Sequence, residues 1–434
     1  MGQLRLPLFL SEQREMRASA AVIVFSELFA RHTSKMKTTK VHRIALLFNA
    51  NKIFDHEVIA GIAAYCGSTR AAWDVFLEED FRLRLSGIEH WQGDGIIANF
   101  DDPAVAEALS RCSVPVVAVG GSYADPAHYP AGVPYVGTDN FKLIELARQH
   151  LIDVGLQHFA MFSAPATNEN RWAQEREHAF RSLMQGDRLE AEIFRGWATS
   201  AHSWDAAVQV QVDWLRRLPK PVGIIAVSDA RARQLLQACT LAGIEVPEQV
   251  AIIGIDNDPL VRRLTRIPLS SVIQGAQEIG RTAAHLIEQM LHGVRPPNTP
   301  IVVPPAGINV HASSQYQLIK HPSVMRARHF IRQYACQGIK TEQVAEYVGV
   351  SRSSLDADFR QELGCSVHDM ILSFKLNAAK AALESGDCSI ADVALGSGLT
   401  SIQYMHRVFK RELGCTPRAY RDRVLGERGQ MSPA

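Results

Sequence analysis

VAEYVGVSRSSLDADFRQELGCSVHDMI (344–371) and VALGSGLTSIQYMHRVFKRELGCTPRAYR (393–421) are two passes of one pattern, about fifty residues apart. Each opens on Val-Ala and places a glycine, Gly349 or Gly398, at the same offset. Each closes on Phe, a basic residue and then Glu-Leu-Gly-Cys. Val344, Ala345 and Val348 share one helical stripe, and Gly349 supplies the positive φ needed just beyond a helix. Ser351 then suits the cap of a second helix. On that helix Leu355 and Phe359 stand one turn apart and face the first, as do Met405 and Phe409 in the second copy. Two short helices around a glycine turn, the second with a free outer face, make a helix-turn-helix, the shape that enters the major groove of B-DNA.

The parts follow in a telling order. A leading helix over 324–334, the first unit, a connecting helix over 368–385 and a second unit ending GCTPRAYR resemble the AraC/XylS family of DNA-binding domains. The resemblance implies double-stranded DNA as partner, read on a direct-repeat operator. In that family the residues two, three and six places before the helix Phe meet bases. Here they are Ala357, Asp356 and Ser353 in the first unit, and Arg407, His406 and Gln403 in the second. Gln403 and Arg407 lie on one face and suit bidentate contacts to adenine and guanine. Arg352 and Ser401 are expected on phosphates. Asp356 and Ala357 are unusual choices, because a carboxylate accepts from cytosine but repels phosphate; the first unit is expected to add less specificity.

Composition sets the frame. A chain of 434 residues has room for two or three domains. With a net charge of +1 it is no purely electrostatic nucleic-acid binder, and from His321 onward fifteen Lys and Arg face twelve Asp and Glu, so the DNA reading rests on the motif. The seven cysteines form no C-x-x-C pair, which argues against zinc ribbons and disulfide frameworks and for a reducing compartment; cytoplasmic is the expectation. No run of about 18 apolar residues predicts a membrane helix. At the start, ASAAVIVFSELFA (18–30) is mildly apolar, but Ser26 and Glu27 interrupt it, so it reads as an extension rather than a secretion signal. MKTTKVHR (36–43) would itself make a start, and the first 35 residues are expected to lie outside the working protein.

The expected organisation is an extension over 1–40, an α/β domain over 41–312, a linker over 313–322, the helical DNA-binding domain over 323–424 and a short tail. In the α/β part, RIALLFN (43–49), WDVFLEE (73–79), GIIAN (95–99), VPVVAVG (114–120) and YVGTD (135–139) read as strands alternating with helices. A second series follows: HFAMFS (158–163), GIIAVSD (223–229) and VAIIGIDN (250–257). Short runs rich in Val and Ile, separated by helices, predict parallel sheets covered on both faces. Two series predict two doubly wound lobes. The stretches GIIAVSDARARQLLQACTLAGIEVPEQVAIIGIDN, LSSVIQGAQEIGRTAAHLIEQML and QEREHAF resemble the LacI/GalR regulators and the periplasmic sugar-binding proteins. The fold expectation is therefore a two-lobed periplasmic-binding-protein-like α/β domain followed by an all-α double helix-turn-helix domain.

Open α/β sheets bind ligands beyond the carboxyl ends of their strands. There the chain places Asn49 and Asn51, Asn99 and Asp101, Gly120-Gly121-Ser122, Ser228 and Asp229, Asp256 and Asn257, and Gln274, with Arg176 opening a helix toward them. Carboxylates, amides and one guanidinium suit sugar hydroxyls, each of which donates and accepts. Phe48, Phe54, Phe100 and Trp172 are available to stack on a sugar ring. Blander roles stand beside these: Asp229 as a helix cap, Asp256 as a turn residue, Arg176 in a surface ion pair, Phe48 in the core. The acidic residue the family carries after its fourth strand is missing, with Gly120-Gly121-Ser122 in its place; Asp101 or Asn99 is the candidate substitute.

A sugar domain placed before an AraC-type domain, with HRIALLFNANKIFD, GGSY, SDARAR and IGIDN, is similar to the xylose operon regulators of bacteria. The resemblance implies D-xylose as effector, a homodimer, activation of pentose genes and contact with RNA polymerase, with no cofactor. Residue types alone say neutral sugar or polyol, and another sugar is the alternative. An enzyme is disfavoured: there is no G-x-G-x-x-G opening a helix, no Walker loop, no G-x-S-x-G and no H-E-x-x-H.

Overall fold

The computed structural model describes residues 40–430 apart from 50, 78–84, 168–169, 198–202, 318–320 and 387. The expected extension, Lys40 excepted, lies outside the described residues, as does the end of the second expected strand. The first lobe runs β1 (His42–Leu47), α1 (Ile53–Thr69), β2 (Trp73–Leu77), β3 (Gly95–Asn99), α2 (Pro103–Leu109), β4 (Val116–Gly121) and β5 (Tyr135–Thr138). Then α3 (Asn140–Asp153) crosses to a second lobe of β6 (His158–Phe162), α4 (Arg171–Gly186), β7 (Glu192–Phe194), α5 (Trp204–Arg217), β8 (Val222–Ala226), α6 (Asp229–Ala242), β9 (Val250–Ile255), α7 (Pro259–Leu264) and β10 (Ser270–Ile273). The helix α8 (Ala276–Leu291) crosses back, β11 (Ile301–Val303) joins the first sheet, and β12 (Gly307–Asn309) joins the second.

The sheet orders are β11-β5-β4-β3-β1-β2 and β12-β10-β9-β8-β6-β7. Every pairing is parallel except β10 with β12. Strands β3, β4, β8 and β9 are buried along their whole length, the physical reason their sequences run apolar without alternation. In each sheet the strand order reverses beside its first strand, which opens a crevice at the carboxyl ends of the strands there. Helices α1 and α8 cover the first sheet at close range: a Cβ on Gly280 would run into the Val58 carbonyl, and one on Gly61 into Gln277. Glycine at these two positions lets the backbones touch.

The helical domain comprises α9 (Pro322–Tyr334), α10 (Thr341–Val348), α11 (Arg352–Leu363), α12 (Val367–Ser385), α13 (Ile390–Gly396), α14 (Ile402–Leu413) and α15 (Pro417–Gln430). Two small cores divide it. Val324, Ile331, Val344, Leu355 and Phe359 form one; Ala379, Leu383, Val393, Met405 and Phe409 form the other. Helix α12 is the spine, giving Val367 and Ile371 to the first core and Leu372, Ala379 and Leu383 to the second.

Two boundaries differ from expectation. Ser313 and Ser314 are fully buried in the second lobe: Ser313 donates to the Ile252 carbonyl at 2.6 Å and Ser314 meets Ser270 at 2.7 Å. Small hydroxyl side chains satisfy this sheet edge, so the fold of the lobe reaches into the stretch read as linker. Pro322 opens α9, since a missing N–H costs nothing in a first turn. At the other end α15 continues to Gln430, into the stretch read as a tail.

Candidate functional site

Arg176 is the centre of the cleft. It sits in the first turns of α4, 2% exposed, and spends its fork three ways. Nε donates to Asn140 Oδ1 at 2.9 Å, one terminal nitrogen to the Val227 carbonyl at 2.6 Å, and the other to Gln274 Oε1 at 3.0 Å. The Gln274 amide passes the chain on to Asp256 Oδ1 in a short hydrogen bond. Strand β5, β8, β9 and β10 ends thus meet on one guanidinium. Burial lowers the Arg176 pKa to about 10, with Asp256, Asp101 and Asp229 pulling the other way, so it stays charged at neutral pH. The Trp172 ring carries this guanidinium on one face, 4.9 Å from its centroid.

Asp256 and Asp229 stand in two layers. Asp256 has a φ of 127°, a backbone conformation that lifts its carboxylate into the cleft. Asp229 lies beneath, 1% exposed, with Ser271 donating to one oxygen at 2.6 Å and the Asp258 amide to the other at 2.7 Å. Burial pushes both carboxyls up; the Asp256 charge adds to the effect on Asp229, while Arg176 opposes it on Asp256. Asp229 therefore supports the loop that presents Asp256. Ser228 caps α6, accepting from the Arg231 amide at 3.4 Å.

The first lobe contributes a second cluster. Asp55, in the first turn of α1, accepts from the Asn49 amide at 2.6 Å and from Asn99 Nδ2 at 2.6 Å. Asn99 Oδ1 accepts from the Asp101 amide at 2.9 Å. Asp101 in turn accepts from the Gly121 amide at 3.0 Å and the Tyr123 hydroxyl at 2.6 Å. Burial raises the Asp55 pKa to about 6 against those hydrogen bonds. Asn51 is exposed and donates its backbone amide to Asn49 Oδ1 at 2.9 Å. Glycines end β4 for a steric reason: a Cβ on Gly120 would come within 2.7 Å of Asp101 Oδ1, and one on Gly121 within 2.8 Å of Asn140 Nδ2. Asp101 reaches over from the neighbouring strand end into the space those glycines leave.

Across the mouth, the start of α4 touches the first lobe. Glu175 accepts from the Ala124 amide at 3.0 Å, and the Arg171 guanidinium lies 5.5 Å from the Tyr123 ring centroid. Of the aromatics considered for stacking, Phe48 and Phe100 are core residues, 1% and 5% exposed. Asn140, Asp55 and Tyr123 were missed by sequence reasoning. Asn140 directly follows the strand-end Asp139, a signal that was there to be used; Asp55 and Tyr123 are placed by packing that no local pattern carries.

In the helical domain Ser351 caps α11 as expected, accepting from Ser354 N at 3.1 Å, and Ser401, expected on phosphate, caps α14, accepting from Tyr404 N at 3.1 Å. Ser353, Ala357, Gln403 and Arg407 lie exposed on the outer faces of α11 and α14, and His406 is half-buried. Arg407 extends over the Tyr404 ring at 5.7 Å. Asp356 differs: its carboxylate turns inward and accepts from the Val367 amide, in the first turn of α12, at 3.0 Å. An anion on free amides at a helix start is well placed, and this explains an acidic residue on a groove-facing helix. One terminal nitrogen of Arg352 is held at 2.6 Å by exposed Glu342 of α10, which leaves the other donors of the fork for phosphate.

Among the described residues no helix is long and apolar enough to cross a membrane. Three family models match: XylR N-terminal domain over 43–141, a periplasmic binding protein-like domain over 148–314, and a helix-turn-helix domain over 344–423. The xylose operon regulatory protein of Escherichia coli K12 is 44% identical over 384 residues, 88% of this chain and 98% of the relative. Its counterpart in Haemophilus influenzae is 41% identical, over 88% of this chain and 99% of its own length. A solved structure described as the xylose-binding transcription activator xylR superposes with a TM-score of 0.79 at 43% identity, over 88% and 98% of the two chains. These relatives are transcription regulators, not enzymes. With two α/β lobes meeting around a buried guanidinium, and a duplicated helix-turn-helix following them in the chain, the chain belongs to the family of xylose operon regulatory proteins.

Proposed function

We propose that the chain is a D-xylose-dependent activator of pentose uptake and catabolism genes, acting in the cytoplasm as a homodimer on direct-repeat half-sites and engaging RNA polymerase there. One observation carries the reading of a sugar effector, and similarity to the xylose operon regulatory proteins supports D-xylose among sugars. The Arg176 fork, Gln274 and Asp256 from one lobe, and Asn99 and Asp101 from the other, bring amides, carboxylates and a hydrogen-bonded guanidinium together at the strand ends, with Arg171 at the mouth. A neutral ligand with several hydroxyls matches such a set, since each hydroxyl can donate to a carboxylate and accept from the guanidinium or an amide. Asn49, Asn51 and the half-buried Trp172 complete the surroundings; Asp229 and Ser228 act by shaping the loops beneath.

The mechanism is linkage. Sugar bound between the lobes favours their closed form, already bridged by Glu175 and Arg171. If that form presents the helix-turn-helix units in the spacing the operator demands, sugar and DNA each tighten the other's binding by the same factor. Base contacts fall to Ser353 and Ala357 in the first unit and Gln403, His406 and Arg407 in the second, with Arg352 and Ser401 on phosphates. The test is calorimetry of the full chain against D-xylose, L-arabinose, D-ribose and D-glucose. D-Xylose is expected to bind at least about tenfold tighter than the others. Preference for another of them reassigns the effector, and no binding to any of the four ends the reading.

A further inference from the structure

Arg332 of α9 enters the second lobe and is almost wholly buried there. One of its terminal nitrogens donates to both oxygens of Glu248, at 2.8 and 3.0 Å, and to the Val246 carbonyl at 3.0 Å. Its other side lies against the Phe374 ring of α12, 5.7 Å from the centroid. Arg328 and His329 stand 3.9 Å from the same carboxylate. Glu248 is 6% exposed. The seam is polar, buried and only partly satisfied: Arg328 Nε and Nη1, His329 Nδ1, Arg332 Nε and Glu245 Oε2 are buried without a hydrogen-bond partner. Groups in that state are costly in any one arrangement. Those unpartnered groups lose no hydrogen bond when the seam rearranges, whereas the Glu248–Arg332 pair holds its three only in this arrangement.

Its place in the chain gives it meaning. Glu248 lies in the loop between α6 and β9. The far end of α6 is Asp229, and the far end of β9 leads into Asp256, the two stacked carboxylates of the cleft. One packed helix–strand unit therefore has the sugar site at one end and the DNA-binding domain at the other. A regular helix and a buried parallel strand transmit a shift at one end as a rigid body.

Resting on the function proposed above, we infer that the Glu248–Arg332 clasp is the joint through which sugar occupancy sets the orientation of the first helix-turn-helix unit. Glu248 and Arg332 are positioning residues: they touch neither sugar nor bases. Loosening the clasp uncouples the two ligands without abolishing either site.

The experiment uses the full chain and a duplex selected from a random-sequence pool by that chain in the presence of D-xylose. DNA affinity is measured with and without saturating D-xylose for wild type, Glu248→Gln, Arg332→Met and the double variant; D-xylose affinity without DNA is measured for each. Glu248→Gln keeps the side-chain shape and guards against misfolding. Each variant is expected to bind D-xylose within about twofold of wild type, while the sugar-dependent gain in DNA affinity, about 5- to 150-fold for an ordinary allosteric coupling, collapses toward one. The double variant should be no worse than either single change, because one joint is lost only once. A variant that keeps the wild-type gain, or that loses DNA affinity equally with and without sugar, overturns the inference and leaves the function intact. A wild-type chain that binds D-xylose yet gains nothing on DNA overturns both.

Discussion

Arg176 is buried with its whole fork engaged, and a buried charge whose partners remain after its removal is expensive to lose. Arg176→Met should therefore cut D-xylose affinity at least about a hundredfold by calorimetry, and Arg176→Lys should fail to restore it, because an ammonium cannot reach Asn140, Val227 and Gln274 together. Retention of near wild-type affinity by Arg176→Lys would show that charge alone is needed. Asp55 makes a different prediction. Its folded pKa, raised to about 6 from 3.8, means the folded chain binds the proton more tightly than the unfolded chain. Its contribution to stability is thus fully present below about pH 4 and lost as pH rises through about 6. Asp55→Asn should remove that part of the pH dependence, worth at most about 3 kcal/mol. Urea midpoints at pH 4.5 and pH 7 measure it; a variant that falls between those pH values as steeply as wild type contradicts the assignment.

At the scale of elements, the duplicated units were legible because their cores obey helical spacing. Leu355 with Phe359 and Met405 with Phe409 are fully buried as their positions suggest. The strand ends were legible as places where polar groups gather: Gln274 and Asp256 join the chain on Arg176, and Asn99 and Asp101 form a second one in the first lobe. Asp356 was not. Helical periodicity puts it beside the outer face, but its partner is an amide beyond the Gly364 turn, and no period reports that. Nor were Asp55 and Tyr123 readable, for their partners lie 44 and 22 residues away. Two substitutions separate these roles. Asp356→Ala should lower the thermal stability of the helical domain by about 1–2 kcal/mol and leave base preference unchanged. Arg407→Ala should cost about 1–3 kcal/mol at one base position and relax its identity. Thermal melts read the stability change and selection of preferred sites with each variant reads base preference; equal weakening of Arg407→Ala on every sequence would place that side chain on phosphate instead.

The whole molecule is a thermodynamic statement: a cleft at one end, groove-entering helices at the other, and a rigid unit between. Domain order and fold class could be read from repeats and apolar runs, whereas the seam between the domains could not, because Glu248 and Arg332 are ordinary surface-type residues until the two bodies meet. Linkage requires that whatever sugar does to DNA binding, DNA does to sugar binding. The most direct measurement is the D-xylose affinity of the full chain by calorimetry, alone and saturated with a duplex selected by the chain itself. Tighter sugar binding on the duplex, by about fivefold or more and by the same factor that sugar adds to DNA affinity, is the expected result; identical sugar affinity in the two titrations would contradict the account.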